Sequence, residues 1–187
     1  DGSIANAFQL DMAATVINPY AIEVDPTGVY MTGCIDGNFN SEVNSGFTDM
    51  IIAKYSLDFT TLVWYDQVGT SGIETGIDLV LDISNNLIYV TGVTTYYLFT
   101  GANASSGDSD IILAQYNKNG SGIMSPNSSF THQYGGSLDD YPTGITMDNS
   151  GNIYITGNSN STDFISAGAG DSDIFIIKIN LANIIYY

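Results

Sequence analysis

Few residues in this 187-residue chain have the types and spacing for chemistry, and carboxylates dominate them. Asp108 with Asp110, Asp171 with Asp173, and Asp139 with Asp140 set oxygen ligands close together. Calcium is the cation such groups suit, because it takes six to eight oxygens. No Asp-x-Asp-x-Asp-Gly loop occurs, so these segments are expected to orient strand entrances through local backbone bonds. Paired carboxylates also serve glycoside hydrolysis. Here, however, the Asp residues return at matching places along the chain, and that favours a structural task over a site. His132 is the single histidine and Cys34 the single cysteine. With no second histidine or cysteine beside them a zinc site is not expected, and for His132 a structural role is preferred to a catalytic one. His132 is expected in the aromatic strand, as the counterpart of Trp64 or Tyr65, and Cys34 is expected as a small buried apolar residue. No catalytic residue and no cofactor is expected, and the chain is read as a non-enzyme.

Those residues lie on a repeat. Three stretches share one pattern: Ala21 to Gly33, Ile77 to Gly92 and Gly144 to Gly157, each with a Tyr-x-Thr-Gly ending. After a polar loop each is followed by a second block, Thr48–Tyr55, Ser109–Tyr116 and Ser172–Ile179. A third block, Leu62–Gly69 and Phe130–Gly136, is aromatic and ends in glycine. Tyr30, Tyr89 and Tyr154 stand 59 and 65 residues apart, and Asp49, Asp110 and Asp173 stand 61 and 63 apart. Fixed-period self-similarity is the signature of repeat architectures, and the length differences fall in loops.

The blocks are short and rich in Ile, Val, Tyr and Thr, and Gly, Asn, Asp and Ser bound them. They read as strands. Asp25 with Gly28, Asp82 with Asn85, and Asp148 with Gly151 suit tight turns, where a carboxylate accepts backbone N–H groups and Gly or Asn takes the left-handed region. Met50–Ala53, Ile111–Ala114 and Ile174–Ile177 are apolar on both faces. That suits sheets covered on both sides rather than a half-exposed sheet. The expected fold is all-β, with three four-stranded antiparallel blade-like units. Residues 1–12 are read as the outer strand of a preceding unit, followed by units 13–69, 70–136 and 137–187, the last with an incomplete outer strand.

Asp148–Gly157, Gly170–Lys178 and Tyr134–Gly136 resemble the SBBP-type β-propeller repeat, and the likeness runs through almost the whole chain. The resemblance implies a propeller fold, an extracytoplasmic location and no assigned catalytic residues. Propellers have four to eight blades, so three blades leave two open faces. With about four large apolar side chains per face at about 1.5–3 kcal/mol each, an open face forfeits on the order of 6–12 kcal/mol. That rivals the whole stability of a domain, about 5–15 kcal/mol. Further blades of a longer chain, or self-association into a ring or a filament, are the expected remedies.

The formal net charge is −17 and arginine is absent. Such a chain repels phosphate backbones and anionic lipid, so nucleic acid and membrane insertion are not expected. The leading expectation is an extracellular or cell-surface structural or assembly module. The alternative is a carbohydrate- or protein-binding propeller that uses the variable loops 36–47, 93–109 and 158–172. Tyr96, Tyr97, Leu98 and Phe99 are the candidate exposed contacts, because apolar side chains in a loop need a reason. Asn103, Asn119, Asn127 and Asn160 head Asn-x-Ser/Thr sequons and are the glycosylation candidates.

Overall fold

The computed structural model describes residues 2–5, 7, 9, 17–96, 109–120, 131–165 and 171–180. Eleven strands occur among them: β1 (Ile17–Asp25), β2 (Gly28–Ile35), β3 (Asp49–Tyr55), β4 (Leu62–Val68), β5 (Glu74–Asp82), β6 (Leu87–Thr94), β7 (Asp110–Asn117), β8 (Thr131–Tyr134), β9 (Asp140–Met147), β10 (Asn152–Ser159) and β11 (Asp173–Asn180). They form three antiparallel sheets of four, four and three strands, ordered β1-β2-β3-β4, β5-β6-β7-β8 and β9-β10-β11. Each sheet is a meander in which every strand pairs with the next in sequence. The third sheet has three strands among the described residues, and 181–187 lie outside them.

The first hairpin of each sheet is set by its opening aspartate. Asp25 pairs with Gly28, Asp82 with Leu87, and Asp148 donates its N–H to the Asn152 carbonyl. The loops are therefore 26–27, 83–86 and 149–151, and the aspartate carboxylate caps each one. It accepts from Thr27 N–H, Asn85 N–H, and both Ser150 and Asn152 N–H. Gly151 has φ +79°, as the turn reading expects. In the second hairpin the left-handed residue is Asn86 (φ +59°), not Asn85. That loop is longer, so Asn85 is free to bond Asp82 through its backbone and its side-chain amide.

The sheets stack face to face. β5 packs across β1, β2 and β3, and β9 packs across β5, β6 and β7. One apolar layer joins the first and second sheets: Tyr30, Met50, Ile52, Trp64 and Val68 meet Leu79, Ile88, Val90, Ile112, Ala114 and Tyr116. Another joins the second and third, where Tyr89, Ile111 and Leu113 meet Ile145, Ile153, Ile155 and Phe175. β7 is thus apolar on both faces because a sheet covers each. The stack is open, and its sheets do not close into a ring.

Candidate functional site

The seams between sheets carry the polar chemistry of the molecule. Two of the chain's three cationic side chains, Lys54 and Lys118, belong to them, and the third, Lys178, lies exposed on the outer face of the third sheet. In the first seam, Lys54 Nζ lies 5.0 Å from the centre of the Tyr30 ring and donates to Thr27 Oγ1 and to the Lys118 carbonyl, 3.2 Å each. Trp64 Nε1 donates to that same carbonyl at 3.0 Å. The Lys118 ammonium crosses from the second sheet to form an ion pair with Asp25 of the first, and both side chains are almost wholly buried. Burial by itself would raise the Asp25 pKa. The Lys118 ammonium and the Thr27 donors outweigh it and hold the carboxyl at about 2.

A second polar element recurs at both seams. Asp49, at the start of β3, accepts from Gln67 Nε2 (2.8 Å), and Gln67 also donates to the Gly37 carbonyl. Five residues beyond Gly69, Glu74 accepts from Thr70 N–H and Oγ1 and from Thr94 Oγ1. The second copy has the same parts. Asp110 accepts from Gln133 (2.7 Å), and Asp140 accepts from Gly136 N–H and Ser161 Oγ. All four carboxylates are buried. A Cβ at Gly69 would collide with the Asp49 carboxylate, and one at Gly135 with that of Asp110. This is why the aromatic block ends in glycine. Burial raises the Asp49 and Glu74 pKa values, and for Glu74 the nearby Asp49 charge adds to the effect.

The outward faces repeat the inward ones. Strand register aligns Tyr30–Lys54, Tyr89–Gln115 and Tyr154–Lys178 as cross-strand pairs. By the same alignment Met50 and Ile52 correspond to Ile111 and Leu113, and then to Ile174 and Ile176. The first four are fully buried in seams, whereas Ile174 is 82% and Ile176 71% exposed. Lys178 already stands 5.2 Å from the Tyr154 ring centre, as Lys54 stands over Tyr30, and the Tyr154 hydroxyl donates to Asp148. At the opposite end, Ile22 and Val24 are 67% and 61% exposed, where their counterparts Leu79 and Leu81 pack into the first seam.

That end differs from the expectation of a bare face. Phe39 and Phe59 from loops, with Ile17, Leu62 and Tyr65, pack over Ile51, Ala53 and Tyr55. Ala7 and Gln9 line a cavity of about 610 Å³ there, next to Ile22, Val29 and Met31. The described residues of 1–12 are not in a strand.

The remaining predicted residues are dispersed. Asp110 opens β7, while Asp171 and Asp173 lie at the start of β11 in another sheet; Asp108 lies outside the described residues. Among the described residues no group of three or more His, Cys, Asp or Glu side chains is placed to hold a metal ion. His132 is half-buried on β8 opposite Leu113. Because Leu113 corresponds to Ile52, which pairs with Asp66, the counterpart of His132 is Asp66 rather than Trp64 or Tyr65. Burial lowers the His132 pKa. Cys34 is buried in β2. Tyr96 is 54% exposed, and its carbonyl accepts from Thr94 Oγ1 and Gln133 Nε2; Tyr97, Leu98 and Phe99 lie outside the described residues. Asn119 is exposed and Asn160 partly so, and Asn103 and Asn127 lie outside. Gln67, Gln133 and Glu74 escaped the sequence reading. Their only signal was a glutamine two residues before the shared glycine and an acid five after it.

The model of the β-propeller repeat family SBBP matches residues 130–165. The match runs from the aromatic block through β9 and β10, so the chain carries a repeat of this type and the resemblance stands. No curated protein matches the chain. Among the described residues no helix is long and apolar enough to cross a membrane.

Proposed function

We propose that this chain is a non-enzymatic structural module of the β-propeller type, acting outside the cell or at its surface, whose two outer sheet faces are contact surfaces for further β-sheets. The observation that carries the reading is the exposure of Ile174 and Ile176 at positions that are wholly buried in both preceding sheets. Leaving two isoleucines in water, rather than burying them as Ile111 and Leu113 are buried, forgoes about 1.5–3 kcal/mol apiece. The recurring Asp, Gln and Gly residues support a structural role as well, because they contact one another at seams rather than converging on a cleft. The large negative charge favours solubility in a saline medium and disfavours phosphate-bearing partners.

Sedimentation velocity over a wide range of concentration tests the reading. Association that Ile176→Lys weakens, with an unchanged circular dichroism spectrum, is the expected result. Association that is indifferent to Ile176→Lys removes the outer face from any contact role and overturns it.

A further inference from the structure

The outer face of the third sheet is built like the two faces that other sheets already cover. Tyr154, Ile174, Ile176 and Lys178 repeat Tyr30, Met50, Ile52 and Lys54 in residue class and in strand register. In the first seam those residues meet a definite counterpart. Leu79 and Leu81 supply the apolar partners. The Lys118 carbonyl, just past the end of β7, receives both Lys54 Nζ and Trp64 Nε1. The repeat-equivalents of that counterpart lie at the other end of this same chain. Ile22 and Val24 replace Leu79 and Leu81, and Leu57, two residues beyond Tyr55 as Lys118 is two beyond Tyr116, replaces Lys118. All three are more than half exposed: Ile22 67%, Val24 61% and Leu57 52%.

Resting on the reading of the outer faces as contact surfaces, we infer that the partner of the third sheet is the first sheet of a second copy of this chain, joined head to tail. The joint follows the first seam along β1 only, because Phe39, Phe59 and Tyr65 already cover Ile51, Ala53 and Tyr55, the equivalents of Ile112, Ala114 and Tyr116. Ile174 and Ile176 cover Ile22 and Val24, and Lys178 Nζ reaches the Leu57 carbonyl of the next copy. The lysine is already held for this contact by the Tyr154 ring. Two features of the first seam are absent from this joint. Leu57 brings no ammonium to Asp148, which instead is satisfied within its own hairpin by Ser150, Asn152 and Tyr154. Ile17 stands where Glu74 and Asp140 stand, so the joint lacks the second buried acid. With fewer buried polar partners, the joint between copies is made mainly of apolar contact. Being heterologous, it leaves a free face of each kind on an open pair, so copies add until they close a ring or extend as a filament.

Two single-cysteine variants, Leu57→Cys and Lys178→Cys, test the joint when treated with a short bismaleimide, separately and as a mixture. Native Cys34 is 4% exposed and serves as an internal negative. Covalent dimers in the mixture alone are expected, and Ile176→Lys placed in the Lys178→Cys chain is expected to lower their yield about tenfold or more. Dimers from Lys178→Cys by itself signify third sheet against third sheet. That overturns the head-to-tail joint while leaving the face a contact surface. Association without any cross-link in the mixture overturns the proposed register, and a monodisperse monomer at every concentration overturns the joint altogether.

Discussion

Lys118 reaches across the first seam and neutralises Asp25 inside it, the ammonium coming from the second sheet and the carboxylate from the first. Removing one partner of a buried pair leaves a bare charge in a poor solvent, at a cost of about 3–5 kcal/mol. Lys118→Met is therefore expected to destabilise by that amount in urea unfolding at pH 7, and Lys118→Met with Asp25→Asn to recover much of the loss. The pair also sets an acid response. Asp25 is held at about 2, below its ordinary value of 3.8, so its contribution is complete above the ordinary value and fades as pH falls toward 2. The stability gap between the parent and Lys118→Met should accordingly narrow between pH 4 and pH 2.

Glu74 works in the opposite sense. Burial raises its pKa, so the fold favours its protonated form. A raised carboxyl contributes fully below the ordinary value near 4.5 and costs stability as pH climbs through the raised one. Melting temperature should decline as pH rises above 4.5 more steeply in the parent than in Glu74→Gln. In that variant the amide oxygen can take the Thr70 N–H while Thr70 and Thr94 hydroxyls accept from the amide nitrogen. Glu23→Gln, an exposed change of the same net charge, is the control and should leave the slope as it is. Equal slopes in parent and Glu74→Gln would remove Glu74 from the pH response.

The shared glycine gives a steric prediction. Gly69→Ala and Gly135→Ala force a methyl group against the carboxylates of Asp49 and Asp110 and should each cost about 1–3 kcal/mol. Gly144→Ala meets only ordinary contacts with Asp78 and Thr156 and should stay within about 0.5 kcal/mol of the parent. Thermal denaturation of the three variants separates the two cases.

Calcium is expected to have no bearing on stability, since Asp110 and Asp173 open strands in different sheets. Melting temperatures in excess chelator and in millimolar calcium should coincide. A rise of several degrees with calcium would assign a site to the acidic loops.

Much of this architecture is written plainly in the chain. Tyr30, Tyr89 and Tyr154 follow their hairpin aspartates by five, seven and six residues, and the loops of two, four and three residues account for that progression. The runs around Met50 and Ile111 announce two-sided burial because nothing polar interrupts them. The seam network was harder to read. Gln67 and Gln133 look like outward-facing residues in alternating strands, and only the fold turns them toward Asp49 and Asp110. Glu74 and Asp140 differ in length, so their equivalence hides from a search for identical letters. The doubled glycine misplaces His132: Gly69, against the Asp49 carboxylate, corresponds to Gly135, against that of Asp110, and matching Gly69 to Gly136 instead shifts the aromatic block by one residue, from Asp66 to Tyr65. The partial cover over the first sheet escaped notice because Phe39 and Phe59 sit in loops, where an aromatic residue gives no hint of whether it turns inward.

Trp64 is the only tryptophan, and it sits in one seam, stacked 6.5 Å from Tyr116 with its indole N–H bonded to Lys118. The molecule thereby carries a built-in optical probe with a one-sided view. Parting of the first two sheets would shift its emission, whereas peeling of β9–β11 from the stack would pass unseen in the same cuvette. Any disagreement between fluorescence and circular dichroism melts would then measure how independently the far layer comes away.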